Sequence, residues 1–255
     1  MADLQAVTVE PADRVEVGIY PIDKPVGPTS FRLVQLVRRA LGIKKTGHAG
    51  TLDPFASGLL IICAGRPATR VIEQLMGGEK VYEGALTLGV ETDTLDREGR
   101  VVATHAVPEL DADRVRSCLA GFVGEQLQMP PLYSALKHKG KPLYRYARQG
   151  VEIAREPRPV SIHDLQLLGM EKEVLKIRVR CGKGTYIRSL AADIGRALGC
   201  GAHLSELRRV RSGGFSVERA IDGEVLFGEP DRARELLLAG RLGVAEGLAL
   251  NSEFQ

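Results

Sequence analysis

The sequence contains no tryptophan, and aromatic residues make up only 5% of it. It has no run near the roughly 20 apolar residues that a bilayer crossing needs. The first residues, MADLQAVTVEPADR, are polar and include acids and do not resemble a signal peptide, so none is expected there. A soluble, cytoplasmic protein without a membrane partner is expected. Cysteines are few: Cys63, Cys118, Cys181 and Cys200 lie far apart, with no zinc-ligand spacing, and read as reduced core thiols. An excess of one charge is almost absent, since 35 Lys and Arg face 32 Asp and Glu for a net +3. Partners must therefore be argued from where the charge sits. Neither an internal repeat nor a low-complexity segment is visible. Gly182-Lys183-Gly184-Thr185 lacks the upstream glycine spacing of a P-loop, so ATP hydrolysis is not expected. Glu91, Asp93 and Asp96 offer carboxylates, but Asp96-Arg97-Glu98-Gly99 reads as a turn, and no metal or other cofactor is expected.

What is present suits a globular chain with a sizeable core: 255 residues, 44% hydrophobic and 26% charged. Residues 1–18 read as a loose leader. A short strand over Ile19–Ile22 is followed by a turn at Pro25, Gly27 and Pro28. Thr29 or Ser30 then caps a helix with Phe31, Val34, Val37 and Leu41 on one face and Gly42 as its stop. A glycine-rich loop, Gly47 to Gly58, feeds the apolar strand Leu59–Ala64, and a helix around Thr69–Met76 follows. Residues 81–88 alternate as a strand, Leu95–Arg100 turn, and Val101–Ala103 return. Asp111 caps a helix that Gly121 ends. Residues 125–158 hold Pro130, Pro131, Pro142 and Pro157 and show no regular pattern. Strands resume at Val160–Leu167 and Val174–Cys181, and Thr185 caps a helix from Ile187 to Leu198. Asp231–Leu248 reads as one amphipathic helix. Strands and helices mix without steady β-α-β alternation, which argues α+β.

Three segments could carry chemistry. In the first, Gly47, Gly50 and Gly58 let backbone approach a ligand closely, and Pro54 biases Asp53 toward an extended backbone that projects its side chain. His48 lies nearby, and a buried strand anchors the loop downstream. The bland reading is an Asp-Pro turn with a surface histidine. In the second, Lys176, Arg178 and Arg180 share one strand face that runs into Gly182 to Arg188, with no acid from Val174 to Ala192. That composition suits anion binding, or simply a solvated face. In the third, Lys137, Lys139, Lys141, Arg145, Arg148, Arg155 and Arg158, against Glu152 and Glu156, interleave with Tyr133, Tyr144 and Tyr146, as in a nucleic-acid contact or, equally, a solvated face. Arg208, Arg209 and Arg211 add a further cluster.

Taken in order, these segments resemble the TruB family of tRNA pseudouridine synthases. Gly47–Leu60 is similar to that family's catalytic motif, and Lys80-Val81-Tyr82 to its KxY motif. Gln128–Lys137 with Gly140-Lys141 and Leu143-Tyr144 resembles its RNA-gripping insertion. Cys181–Arg188 resembles the CxKGTYIR motif, and Leu207-Arg208-Arg209 with Ser212-Gly213 the motif near the end of its catalytic domain. The likeness runs from about Tyr20 to Phe215.

The resemblance implies the pseudouridine synthase fold: a mixed, mainly antiparallel sheet flanked by helices, with an RNA-binding insertion at about 128–158 and a catalytic domain over 19–215. It implies Asp53 as the catalytic aspartate, Arg188 as its partner, Tyr82 stacked on the target base and Tyr186 lining the pocket. His48 is implied to contact RNA around the flipped base. Lys80, Gly50 and Lys183 are expected to bind substrate, and Lys137, Lys139, Lys141, Arg145, Arg208 and Arg209 to meet phosphates. The implied substrate is the T-loop uridine of tRNA, position 55 in tRNA numbering, isomerised by a monomer that needs no protein partner. A carboxylate can act as nucleophile at C1′ or as base at C2′, and the sequence leaves both routes open. About forty residues follow Phe215, fewer than the PUA module usual in the family would need; 216–255 is expected to be a remnant. Two rivals stand beside this reading: a guide-RNA-dependent relative of the H/ACA type, and an RNA-folding factor without turnover.

Overall fold

The computed structural model describes residues 15–134, 136–147, 149–151 and 153–252; the side chains of Lys137, His138 and Tyr144 also lie outside the description. Residues 1–14 of the expected leader and Arg148 therefore fall outside it. The chain divides into two compact units, one formed by residues 1–78 with 209–255, the other by 79–208.

The first unit opens with β1 (Gly18–Lys24), whose residues are almost all buried. Helix α1 (Ser30–Leu41) starts at Thr29, whose hydroxyl accepts the Arg32 N–H, and stops at Gly42 in the left-handed region. Such a glycine stop removes the Cβ penalty of that conformation. The helix buries Leu33, Val34, Leu36, Val37 and Leu41. Phe31, expected on that face, is exposed instead. The glycine-rich segment is shorter than its sequence suggests, because β2 (Thr46–Ala49) and β3 (Ser57–Ala64) take both ends. β3 runs antiparallel to β1 (Ile62 opposite Tyr20) and to β2 (Ile62 opposite His48). The helix expected near Thr69–Met76 is two single turns, α2 (Arg66–Thr69) and α3 (Ile72–Leu75).

The second unit is built on antiparallel strands. β4 (Lys80–Leu88) is followed by the small pair β5 (Val90–Thr92) and β6 (Val101–Thr104). Helix α4 (Ala112–Ala120) is capped by the Asp111 carboxylate, as expected. The stretch that showed no sequence pattern holds β7 (Gly124–Gln128), the hairpin β8 (Lys137–His138) and β9 (Lys141–Pro142), and the short helix α5 (Leu143–Ala147). Long strands β10 (Arg158–Glu171) and β11 (Val174–Cys181) precede helix α6 (Ile187–Leu198). The cap of α6 differs from expectation: Tyr186 stands at that position without a side-chain bond, and the Thr185 hydroxyl donates to Gly182 O instead. β12 (Ala202–Ser212) continues from this unit into the first. Within the second unit the strand order is β12-β4-β11-β10-β7.

Back in the first unit, β13 (Phe215–Ser216) folds against the end of β12, and β14 (Ile221–Asp222) pairs parallel with β1. The helix expected over Asp231–Leu248 is two, α7 (Pro230–Ala239) and α8 (Val244–Ser252), broken at Gly240. Leu242 bridges Ile19, and Val244 and Leu248 pack on the core of Ile19, Ile61, Cys63 and Phe215. The parallel β14/β1 pair among antiparallel neighbours makes this a mixed sheet, and the class is α+β as expected. Among the described residues no helix is long and apolar enough to cross a membrane.

Candidate active site and RNA interface

Asp53 lies in the loop between β2 and β3, half-buried. The loop is held by its own backbone. Gly27 N–H and the Lys24 ammonium both donate to Pro54 O, at 2.8 and 3.3 Å. Lys24 is fully buried and also caps Pro25 O and Pro28 O. Ser30 Oγ donates to Leu52 O and accepts Leu52 N–H, at 2.8 and 2.9 Å. Ala56 N–H closes a turn onto Asp53 O.

The other flank belongs to Arg209. Its Nε donates to Leu59 O at 2.7 Å, its Nη2 to Gly50 O at 3.0 Å and its Nη1 to Thr51 O at 3.4 Å. Arg209 is only 2% exposed. The expectation that it meets RNA phosphates is corrected here: a guanidinium buried this deeply has spent its donors on the chain's own carbonyls. Gly50, with φ +94°, presents its carbonyl to that guanidinium, and Gly58, with φ +101°, lets β3 pass the Arg209 backbone where a Cβ would strike the Arg209 carbonyl. Sequence reasoning named both glycines but missed Lys24 and Ser30. The signal was present: a lysine and a serine flanking a Pro-Val-Gly-Pro turn.

His48 sits on β2, half-buried, and its Nδ1 is buried without a hydrogen-bond partner among the described residues. Burial, helped by the Arg209 charge, holds its pKa below the ordinary histidine value, so the ring is neutral. The core-thiol reading holds for Cys63, Cys181 and Cys200, which are free and buried, but not for Cys118, which is half-buried on α4; burial pushes the Cys63 and Cys181 thiols up to about 12 and about 11. Neither is a nucleophile at neutral pH.

In the second unit, Lys80 and Tyr82 lie on β4 opposite Cys181 and Val179 of β11; Lys80 is buried and Tyr82 half-buried. Arg188 occupies the first turn of α6 and is 4% exposed. Its Nη1 donates to Thr94 O at 3.0 Å and stands 3.3 Å from Asp96 Oδ2; its Nη2 donates to Tyr133 O at 2.9 Å. Asp96 was read only as a turn residue. It does make the turn, accepting Thr94 Oγ1 and Glu98 N–H, but its second oxygen faces Arg188. The neighbouring acids are also engaged: Asp93 accepts from Arg100, and Glu91 meets His105. Tyr186 is half-buried and held at both backbone atoms by one side chain, Gln128, which accepts its N–H at 2.8 Å and donates to its carbonyl at 3.1 Å. Ser189 Oγ reaches Met129 O, so the opening of α6 is tied to residues 128–133. Gln128, 2% exposed, is a further residue whose role no local sequence pattern announces.

Of the basic residues, Lys139 and Lys141 are exposed at the β8–β9 hairpin. Lys139 and Gly140 have φ of 48° and 80°, the two positive values that a tight two-residue hairpin turn requires. Arg145 on α5 and Lys183 beside Gly184 are exposed, and Arg208 on β12 is half-buried. The Lys137 side chain lies outside the described residues. Arg155 is turned inward to Pro130 O. The basic face of β11 is largely neutralised, since Arg178 pairs with Glu83 at 2.9 Å and Arg180 with Glu79 at 3.1 Å. There the solvated-face reading holds.

The fold is shared with chains of known structure. A Cbf5-Nop10-Gar1 complex contains a chain 32% identical, with a TM-score of 0.65, covering 86% of this chain and 60% of that one. An archaeal box H/ACA Nop10-Cbf5 complex gives 28% identity and a TM-score of 0.67 over 93% of this chain and 65% of that one. The description "TruB family pseudouridylate synthase (N terminal domain)" matches residues 38–187, and "tRNA pseudouridylate synthase B C-terminal domain" matches residues 188–228. The tRNA pseudouridine synthase B of Desulfotalea psychrophila is 55% identical over 85% of this chain and 90% of its own length. That of Aromatoleum aromaticum is 51% identical over 89% and 73%. The chain belongs to the TruB family of pseudouridylate synthases.

Proposed function

We propose that the chain isomerises the T-loop uridine of tRNA to pseudouridine, with Asp53 as the group that acts on the ribose. The observation that carries this reading is the Asp53 loop itself: the carbonyls of Gly50, Thr51, Leu52, Asp53 and Pro54 all accept hydrogen bonds from within the first unit. A half-buried carboxylate on a backbone fixed residue by residue is what positional catalysis requires.

In the reaction the N1–C1′ bond breaks, the uracil turns, and C5 bonds to C1′. The C5 proton leaves to solvent while N1 takes one up. No electrons and no phosphate change hands, so the chemistry asks for neither a redox cofactor nor ATP. Asp53 serves either as the nucleophile at C1′ or as the base that removes the C2′ proton. Arg188 is assigned as the guanidinium that favours its ionised form, and Tyr82 as the ring on which the extruded base stacks. Extrusion costs a few kcal/mol, and stacking returns about 1–3 kcal/mol. Tyr186, Lys80, His48 and Lys183 are assigned to the base and its flanking nucleotides. The exposed cations Lys139, Lys141 and Arg145, with Lys137 and Arg208, are assigned to T-arm phosphates.

The catalytic stretch is proposed to be 19–215, the protein to act as a cytoplasmic monomer without a protein partner, and 216–255 to add no complete RNA-binding module. Tritium release from C5-labelled, unmodified tRNA tests the reading. Release approaching one equivalent per target uridine supports it. Tight binding without release, with faster tRNA refolding, would make the chain an RNA-folding factor instead.

A further inference from the structure

Between Lys24 and Thr51 the sequence contains no Asp or Glu, although the chain as a whole is nearly charge-balanced. The structure gathers the cations of this stretch. An open groove on the first unit is lined by Arg32, Gln35, Arg38, Arg39 and Lys44, with Gly42 and Ile43 as its floor, and no carboxylate lines it. Lys45 adjoins it, exposed. The groove follows from α1: with Leu33, Val34, Leu36, Val37 and Leu41 facing inward, Arg32, Gln35, Arg38 and Arg39 are left outside. The left-handed Gly42 then turns the chain so that Lys44 and Lys45 follow the helix end directly.

The bland account is a solvated helix face, with Arg38 and Arg39 complementing the C-terminal end of the helix dipole. It leaves Arg32 and Lys44 unexplained. Six other arginines, Arg100, Arg116, Arg178, Arg180, Arg232 and Arg234, each hold a carboxylate, whereas the cations here are both unpaired and gathered in one groove. Among the described residues, the side chains of Arg32, Arg38, Arg39, Lys44 and Lys45 have no hydrogen-bond or ion-pair partner. Exposed cations without internal partners, in a concave setting and with an amide among them, have their donors available for an anion. Guanidinium forks match phosphate oxygens in pairs.

We infer that this groove holds backbone phosphates of the substrate RNA at nucleotides remote from the one isomerised, an inference that rests on the tRNA reading above. The remoteness follows from β2. Lys45 precedes its first residue, and the Asp53 loop follows its last, so the four-residue strand separates Lys45 from the start of that loop by about 14 Å at ~3.4 Å per residue. Along α1, Ser30 touches Leu52 beside Asp53, so Arg32 marks the near end of the groove, and Arg38 lies about 12 Å from Ser30 along the helix at ~1.5 Å per residue. The contact therefore adds grip and orientation without touching the reacting base.

The test compares two double variants that lose the same charge: Arg38→Gln with Lys44→Gln, and Arg116→Gln with Arg232→Gln, whose arginines are already paired. Affinity for unmodified tRNA is measured across salt concentrations, and the single-turnover rate at saturating enzyme alongside. The groove variant should lower the slope of log affinity against log salt by about 2, with a saturating rate within about twofold of wild type. The paired control should keep the wild-type slope. Lys44→Gln with Lys45→Gln, outside the helix, carries the same expectation should the first variant melt early. An unchanged slope in the groove variants, or an equal fall in the control, overturns the inference. Wild-type turnover in the same series separates the two readings: turnover with a flat groove result counts against the groove alone, and absence of turnover against the tRNA reading itself.

Discussion

Arg188 and Asp96 form an ion pair with both side chains nearly removed from solvent, 5% and 6% exposed, and 3.3 Å between Nη1 and Oδ2. Arg188 is assigned to catalysis, and Asp96 sets its direction from a turn that also fixes Thr94 O on the same guanidinium nitrogen. Removing one member of a buried pair leaves the other charge uncompensated, at about 3 kcal/mol or more. Asp96→Asn should therefore lower the melting temperature and reduce the single-turnover rate at least tenfold, with tRNA affinity within a few-fold. A rate near wild type would mean that the turn backbone alone orients Arg188.

Arg209 makes a different prediction from the one its sequence neighbourhood invites. A phosphate contact would show in the salt dependence, whereas a clamp on Leu59 O, Gly50 O and Thr51 O would show in turnover. Arg209→Lys keeps the charge but offers one ammonium where three separated carbonyls need a planar fork. The expected outcome is a lower kcat with KM nearly unchanged. Arg209→Gln should leave the salt slope of tRNA binding as in wild type; a slope lower by about 1 would return Arg209 to the RNA interface.

Gly58 and Gly42 separate backbone strain from collision. Both have positive φ, but a Cβ at Gly42 meets nothing within 4 Å, and one at Gly58 would strike the Arg209 carbonyl. Gly42→Ala should cost about 1 kcal/mol. Gly58→Ala should cost about 3 kcal/mol or prevent folding, because strain adds to a clash with backbone that cannot swing aside. Equal costs in denaturant titrations would show that the β3 approach relaxes freely.

The residues that announce themselves in the sequence are those whose chemistry is local. Thr29 and Gly42 bound α1 as their types require, Asp111 caps α4, and the alternation of Leu175, Ile177, Val179 and Cys181 places their side chains in the core. Misreadings arose where tertiary contacts decide. Phe31 fits a helical apolar stripe but lies outside it, and Gly240 breaks what looked like one C-terminal helix. The proline-rich stretch hid β7, because a five-residue strand needs β10 as partner before it is worth forming. In the site the same division holds: the Asp53 loop was legible from its glycines and its Asp-Pro step. The buried roles of Lys24, Gln128 and Arg209 depend on carbonyls up to about 160 residues away in the chain, as between Arg209 and Gly50. No local pattern encodes those.

His48 adds a pH dependence. The unfolded chain protonates it near the ordinary value of 6.5, and the folded protein only at lower pH, because burial and Arg209 oppose the charge. As pH falls below about 6.5 the unfolded state binds more protons, so stability declines through that window. His48→Gln should flatten that part of a stability profile taken from pH 7.5 to 5. An unaltered slope would show that other groups carry it.

The central claim is that Asp53 performs the chemistry and does little of the gripping. It is tested most directly by Asp53→Asn in single-turnover C5-tritium release on T-arm RNA, with affinity measured on the same RNA. The account predicts no detectable release and a dissociation constant within a few-fold of wild type. Substantial release by this variant would contradict it.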